Sequence, residues 1–259
     1  MTKIVIDGLH VVREGAGPPL LFVTGLGGTA SFWAPQFERF GRLRTCIGFD
    51  HRKVGMSAAS DAPTTVASLA EDVVAILDAL DIDRCDIVGH SLGGTIAQHL
   101  GVFYPERCGK LVMSSSWCGP TPWFTAMFEH RKTVLRTGGV REYLLHGGLI
   151  GNPGWWSFAN FDRMIAGVEA RLEGFAGVEV ECERIDALIA HDLRDRIGEI
   201  VASVLVTCAR DDGITPLPLS EEVAYRITGA RLDIIEHGNH FAPVTMPDAW
   251  AAPIAAFLK

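Results

Sequence analysis

Apolar residues follow two rhythms along this chain: short runs bounded by glycine or a charged residue, and longer stretches that repeat every three or four positions. Residues 9–13 and the stretch before them read as two short alternating strands, and residues 19–24 form a continuous apolar run that stops at Gly25-Leu26-Gly27-Gly28. An apolar run without alternation predicts a strand buried on both faces. Residues 45–49 form a second such run, and within 67–80 the positions Leu69, Val73, Ile76, Leu77 and Leu80 fall on one helix face. A strand over 85–88, a helix over 92–103 and a strand over 111–114 come next. Much later there follow a strand over 203–208, a helix around 221–227, a strand over 231–235 and a closing helix that runs to Leu258. Strands alternating with helices predict an α/β fold with a mostly parallel sheet and helices on both faces, joined by right-handed crossovers.

The interval 118–199 breaks this alternation. It holds no convincing strand, but it places Trp123, Phe124, Phe128, Trp155, Trp156, Phe158 and Phe161 among helical spacings, with breaks expected at Gly138-Gly139, Gly147-Gly148 and Asn152-Pro153-Gly154. The expectation is a core of residues 1–117 and 200–259, with 118–199 inserted as a helical lid over the strand ends.

A chain of 259 residues with 48% apolar composition can build one large core. Its net charge of -8, without a Lys/Arg cluster, argues against nucleic acid or an anionic membrane as a partner. Asp7 and His10 interrupt any N-terminal signal pattern, and no apolar run approaches the ~18 residues of a membrane span. The six cysteines include no CxxC and read as buried free thiols of a reducing compartment. A cytoplasmic protein, monomeric or homodimeric, is expected.

The candidate chemistry starts at Gly89-His90-Ser91-Leu92-Gly93, a GxSxG string between a strand and a helix. Alone, the string would arise by chance in about one of eight chains this rich in glycine, so its context matters. Strand-turn-helix context makes it a nucleophile elbow with Ser91 exposed at the strand tip. A serine nucleophile needs a base and an acid that orients the base. Of the histidines after Ser91, only His237 and His240 lie in the loop after the final strand, and His240 sits just before the closing helix. A metal site on this HxxH lacks a third ligand. For the acid, the loop after 203–208 offers Asp211 and Asp212, whereas the turn Ser115-Ser116-Trp117-Cys118 has no carboxylate. Two amides to hold an oxyanion would come from Leu92, at a helix N-terminus, and from Leu26 in the glycine-rich turn. That turn has neither GxGxxG nor a P-loop lysine, so it does not suggest a nucleotide site.

These strings resemble the α/β-hydrolase fold over nearly the whole chain. Asp50-His51-Arg52-Lys53-Val54-Gly55-Met56-Ser57 is similar to the family's DxRGxGxS, and Asp212-Gly213-Ile214-Thr215-Pro216 to its DxxxP after the acid, a spacing that favours Asp212 over Asp211. Three positions depart from the family pattern: Thr24 stands where many members have His, and Lys53 and Asn239 stand where they have Gly. Gly25-Leu26-Gly27-Gly28, residues 32–36, Gly138-Gly139 and residues 208–212 look most like the aminoacrylate hydrolases of pyrimidine utilisation. The 3-oxoadipate enol-lactonases are similar too, including a lid stretch like Cys182-Glu183-Arg184-Ile185-Asp186. Both groups act on small acyl compounds bearing a carboxylate.

The resemblance implies a serine hydrolase of a small carboxylic ester, lactone, enamine or amide, with Ser91, Asp212 and His240 as triad, Leu26 and Leu92 as oxyanion hole, and no metal or organic cofactor. Trp117, Trp123, Arg131 and Trp155 are substrate-binding candidates, and Arg141 and Arg163 are further partners for a substrate carboxylate. Arg52 and Arg210 are expected to pair with local carboxylates instead. The alternatives are carbon-carbon bond hydrolysis or cofactor-free oxygen chemistry on the same scaffold, and a ligand receptor that keeps the hydrolase pocket.

Overall fold

Each apolar run read as a strand enters one sheet. The structure is a computed structural model that describes residues 2–259. Its strands are β1 (Thr2–Ile6), β2 (Leu9–Glu14), β3 (Pro19–Val23), β4 (Thr45–Phe49), β5 (Cys85–His90), β6 (Cys108–Ser114), β7 (Val204–Ala209) and β8 (Arg231–Ile235). They lie in the order β1-β2-β4-β3-β5-β6-β7-β8. β1, β2 and β4 pair antiparallel, and the pairs from β4 to β8 are parallel. Asp7 and Gly8, at φ 48° and 81°, make the tight turn that folds β1 onto β2.

The helices are α1 (Ala34–Phe40), α2 (Val66–Ala79), α3 (Leu92–Phe103), α4 (Pro122–Gly151), α5 (Gly154–Ala159), α6 (Phe161–Leu172), α7 (Val178–Ala190), α8 (Leu217–Arg226), α9 (Ala242–Thr245) and α10 (Pro247–Phe257). Thr65 and Ser68 start α2 with reciprocal side-chain caps, each 3.0 Å from the other's backbone N–H. Alternate residues of β3 feed two cores. Leu21 and Val23 join the α2 and α3 side, while Leu20 and Phe22 pack with Trp33, Phe37 and Trp250 on the α1 and α10 side.

Helix α1 was not foreseen, because Pro35 and the mixed pattern of residues 30–40 hide its apolar face of Phe37 and Phe40, which follows the buried Trp33. Between β6 and β7 stand α4 to α7. Of the glycine pairs expected to break this segment, Gly139 does so, at φ 85° and ψ 175°, but Gly147 and Gly148 stay within α4. Gly147 is helical because it is a packing position, where the Arg131 guanidinium takes the place of a side chain. Among the described residues, no helix is long and apolar enough to cross a membrane.

The parallel strands all end at one edge of the sheet. The loops after β3, β4, β5, β6, β7 and β8 therefore meet there, outside the strands' carboxyl ends, where open α/β sheets bind ligands.

Candidate active site

Ser91 follows β5 and precedes α3, with φ 56° and ψ -118°. A non-glycine residue in such a conformation costs roughly 1–3 kcal/mol, so its surroundings must hold it. Its N–H donates to the Ser114 carbonyl at 2.8 Å, and its carbonyl accepts from the Gly94 N–H at 2.9 Å and the Ser116 hydroxyl at 3.0 Å. A side chain on Gly89 would overlap the Gly93 carbonyl, and one on Gly93 the Val23 carbonyl, so both glycines are steric requirements of this turn.

The loop after β7 brings Asp212, not Asp211, to His240. The His240 Nδ1 lies 3.0 Å from Asp212 Oδ2 and 3.2 Å from Oδ1. Asp212 Oδ1 also accepts from the N–H groups of Ile214 at 2.9 Å and Thr215 at 2.8 Å, while the Thr215 hydroxyl stands 3.0 Å from Oδ2. Burial alone would raise the Asp212 pKa, but the adjacent His240 and these hydrogen bonds hold it below the ordinary carboxylate value. Asp211 is exposed and accepts from the Asn239 N–H at 2.8 Å, and His237 is also exposed.

Asn239 sits at φ 52°, the left-handed region, and its side chain joins three segments. Oδ1 accepts from the N–H groups of His240 at 2.7 Å and Gly213 at 2.8 Å, and Nδ2 donates to the carbonyls of Ile150 at 3.0 Å and Asn152 at 3.1 Å. His90, beside Ser91, stacks on Phe32 and has its ring 4.9 Å from that of His240. Burial and the neighbouring His240 keep His90 neutral, its pKa well below the ordinary histidine value.

The glycine-rich turn after β3 closes over the nucleophile, and a side chain on Gly25 would stand 3.0 Å from Ser91 Cβ. The Gly28 N–H donates to the Gly25 carbonyl at 3.1 Å, folding the turn around Leu26. Among the described residues, neither the Leu26 nor the Leu92 amide donates to a protein acceptor. Leu92 opens α3, so its N–H is one of the free donors of a helix N-terminus.

A cavity of about 260 Å³ is lined by Ser91, His240, His90 and Leu26 together with Arg131, Arg171 and Glu181 from the segment between β6 and β7. Arg131 is buried, its guanidinium lies 4.5 Å from the Tyr143 ring centre, and its Nε and Nη1 have no hydrogen-bond partner. Arg171 reaches Gly27, where a side chain would stand 2.9 Å from its Nη2. Arg171 is exposed along much of its length, with its guanidinium at the cavity mouth beside Gly27. Among the described residues, neither Arg131 nor Arg171 has a carboxylate within 4.0 Å. The one buried acid here, Glu181, accepts from the Tyr143 hydroxyl at 2.7 Å and has Oε2 3.9 Å from Arg184 Nε.

The tryptophan candidates fall elsewhere. Trp117 is fully buried against Phe124, with ring centres 4.6 Å apart, because apolar packing behind the elbow claims it. Trp123 and Trp155 are 48% and 54% exposed and do not line the cavity, since their helices turn other residues inward. Arg141 pairs with Glu169 on the surface and Arg163 lies over Trp156. Arg52 pairs with Asp72 and Arg210 with Glu236. Arg171, Glu181 and Tyr143 escaped sequence reasoning; the one local signal in this region was the stretch containing Arg184.

The fold is shared with known proteins. Residues 18–138 match the model of the α/β hydrolase fold family. The chain is 34% identical over 264 residues to RutD of Caulobacter sp. (strain K31), which bears the name of a carbamate hydrolase, covering 100% of this chain and 98% of that one. It is also 34% identical to the RutD of Variovorax paradoxus (strain S110), with 96% of each chain covered. A hydrolase from Pseudomonas aeruginosa PA01 superposes with a TM-score of 0.88 at 25% identity, over 99% of this chain and 97% of that one. An enol-lactonase from Burkholderia xenovorans LB400 shares the fold, with a TM-score of 0.88 at 22% identity over 99% of each chain. The chain belongs to the α/β-hydrolase fold family and is a hydrolase.

Proposed function

We propose that the protein is a serine hydrolase that cleaves a small carboxylic ester, lactone, enamine or amide through an acyl-enzyme at Ser91. The observation that carries this reading is the buried Asp212–His240 pair, with Nδ1 and Oδ2 3.0 Å apart, whose imidazole lines the cavity that also holds the strained Ser91. With its Nδ1 proton directed at Asp212, His240 presents Nε2 as the base. It takes the Ser91 proton as the hydroxyl attacks the carbonyl carbon, and returns it to the leaving group. The Leu26 and Leu92 amides receive the oxyanion, where removing one such donor costs roughly 100- to 1000-fold in rate. Water, activated by His240, then releases the acyl group.

The buried guanidinium of Arg131, with Nε and Nη1 unpartnered, and the exposed Arg171 on the same cavity support a substrate that bears a carboxylate. The six free, buried cysteines fit a cytoplasmic setting. The test is a panel of short p-nitrophenyl esters, enol-lactones and carboxylated enamines, with a fluorophosphonate label, on the protein and its Ser91→Ala form. Labelling and turnover that both vanish with Ser91 support the proposal. Turnover that survives Ser91→Ala, with no label on the parent protein, would sink it in favour of serine-independent chemistry.

A further inference from the structure

The stretch Cys182-Glu183-Arg184-Ile185-Asp186 takes no part in the chemistry above, yet its charged residues reach out of α7 in specific directions. Glu183 accepts from the Thr64 N–H at 2.7 Å and from Lys53 Nζ at 2.9 Å, which ties α7 to the loop after β4. Asp186 pairs with Lys132 of α4. Arg184 lies between them, fully buried, and points at the oxyanion turn.

Arg184 Nη2 donates to His51 Nδ1 at 2.9 Å, and the His51 N–H donates to the Gly28 carbonyl at 2.8 Å. Gly28 is at φ 57°, and a side chain there would stand 2.9 Å from Arg184 Nη2 and 3.1 Å from His51 Cγ. The guanidinium and the imidazole thus form the wall behind the Gly25–Gly28 turn, whose conformation sets the direction of the Leu26 amide. The arrangement is unfavourable as mere packing: Arg184 Nε and Nη1 have no hydrogen-bond partner, and the nearest acid, Glu181, is 3.9 Å from Nε. Burial also keeps His51 neutral, free to accept at Nδ1.

We propose that Arg184 is a positioning residue for acyl transfer, which acts through His51 to hold the oxyanion turn so that the Leu26 amide faces the cavity. The inference rests on the serine-hydrolase reading above. An oxyanion donor works over only a few tenths of an ångström, and a misplacement of about 1 Å costs on the order of 100-fold. A residue that fixes the turn therefore affects the transition state more than the bound substrate.

The test compares the parent protein with Arg184→Met, Arg184→Lys and His51→Leu, each checked for folding by circular dichroism and thermal unfolding. Steady-state kinetics on a p-nitrophenyl ester give kcat and KM, and inhibition by an arylboronic acid, which mimics the tetrahedral adduct, is compared with inhibition by the product carboxylate. The expected result for Arg184→Met and His51→Leu is a kcat lower by about 100-fold, a boronate affinity weakened in parallel, and KM and product affinity within about threefold. Arg184→Lys should recover part of the boronate affinity. Folded variants with unchanged kcat and boronate affinity would overturn the positioning role. So would loss of folding in both Arg184→Met and His51→Leu, which would assign the pair to stability alone. If the parent protein neither labels with fluorophosphonate nor binds the boronate, the serine-hydrolase reading itself fails, and that outcome is distinct from the others.

Discussion

Replacing Asp212 by Asn should silence the enzyme without unfolding it, and the geometry says why. Two backbone donors, Ile214 N–H at 2.9 Å and Thr215 N–H at 2.8 Å, converge on Oδ1, so an asparagine must keep its oxygen there. Its nitrogen then takes the Oδ2 place, 3.0 Å from His240 Nδ1 and 3.0 Å from the Thr215 hydroxyl. An amide N–H facing Nδ1 forces the imidazole to accept at Nδ1 and to carry its proton on Nε2, the nitrogen that must take the Ser91 proton. A tautomer inverted in this way lowers kcat by about 10,000-fold, or roughly 5 kcal/mol of barrier at 1.36 kcal/mol per decade. The assay is steady-state hydrolysis of the best ester from the panel, with Asp211→Asn as comparison. Asp211 is exposed and holds only the Asn239 N–H, so its loss should change kcat less than about tenfold. An Asp212→Asn enzyme with more than a tenth of parental kcat, or an Asp211→Asn enzyme equally impaired, refutes the assignment.

Acid should destabilise the fold well before the carboxylates titrate. Burial, aided by Arg184 at His51 and by His240 at His90, lowers the pKa of both, and burial takes His191 down to about 3. Because these folded values lie below the unfolded one, their contribution is complete above about pH 6.5 and is lost as pH falls, each by up to about 1.4 kcal/mol per unit. Urea unfolding at pH 7, 6 and 5 should therefore show a progressive loss of stability, and equal stability at pH 7 and 5 would contradict it. Arg131→Gln and Arg171→Gln should each raise KM for a monoaryl succinate by roughly 10- to 100-fold, the worth of one charged hydrogen bond, while KM for the neutral butyrate ester stays put. Equal effects on both esters would remove the arginines from carboxylate recognition. Lys53→Gly should leave stability within about 1 kcal/mol, since relief of its left-handed backbone offsets the lost ion pair, whereas Glu183→Gln should cost roughly 1–3 kcal/mol by leaving Lys53 unpaired. Urea midpoints of the two variants decide this.

What could be read from the sequence follows the range of the interactions involved. The strands over 45–49 and 231–235 and the helix over 92–103 have the boundaries expected, because glycine, charge and the elbow mark their ends locally. The elbow glycines were legible for the same reason. Helix α8, expected around 221–227, starts earlier at Leu217, since Pro218 in its first turn supplies a helix start that the apolar pattern does not show. The arginines of the cavity were less legible. Arg131, Arg141 and Arg163 look alike as helix charges, and only the crossing of α4 to α7 over the strand ends makes Arg131 a cavity residue and leaves the other two at the surface. Arg171 and Arg184 depend on that same crossing, because each lies against an oxyanion-turn glycine more than 140 positions away.

The departures from the family pattern carry more information than the matches. Lys53 and Asn239 stand where the family has glycine, and both keep the left-handed backbone, at φ 65° and 52°. Such a conformation costs a non-glycine residue roughly 1–2 kcal/mol, less for Asn, so each side chain needs a compensating contact. Both contacts cross to the segment between β6 and β7. Lys53 reaches Glu183 of α7, and Asn239 reaches the carbonyls of Ile150 and Asn152 at the end of α4. Glycine could make neither bond. The two departures therefore fasten α7 and the end of α4 to the loops that flank the oxyanion turn and His240, so the segment that brings Arg131 and Arg171 to the cavity and Arg184 behind the oxyanion turn is tied to the catalytic edge of the sheet.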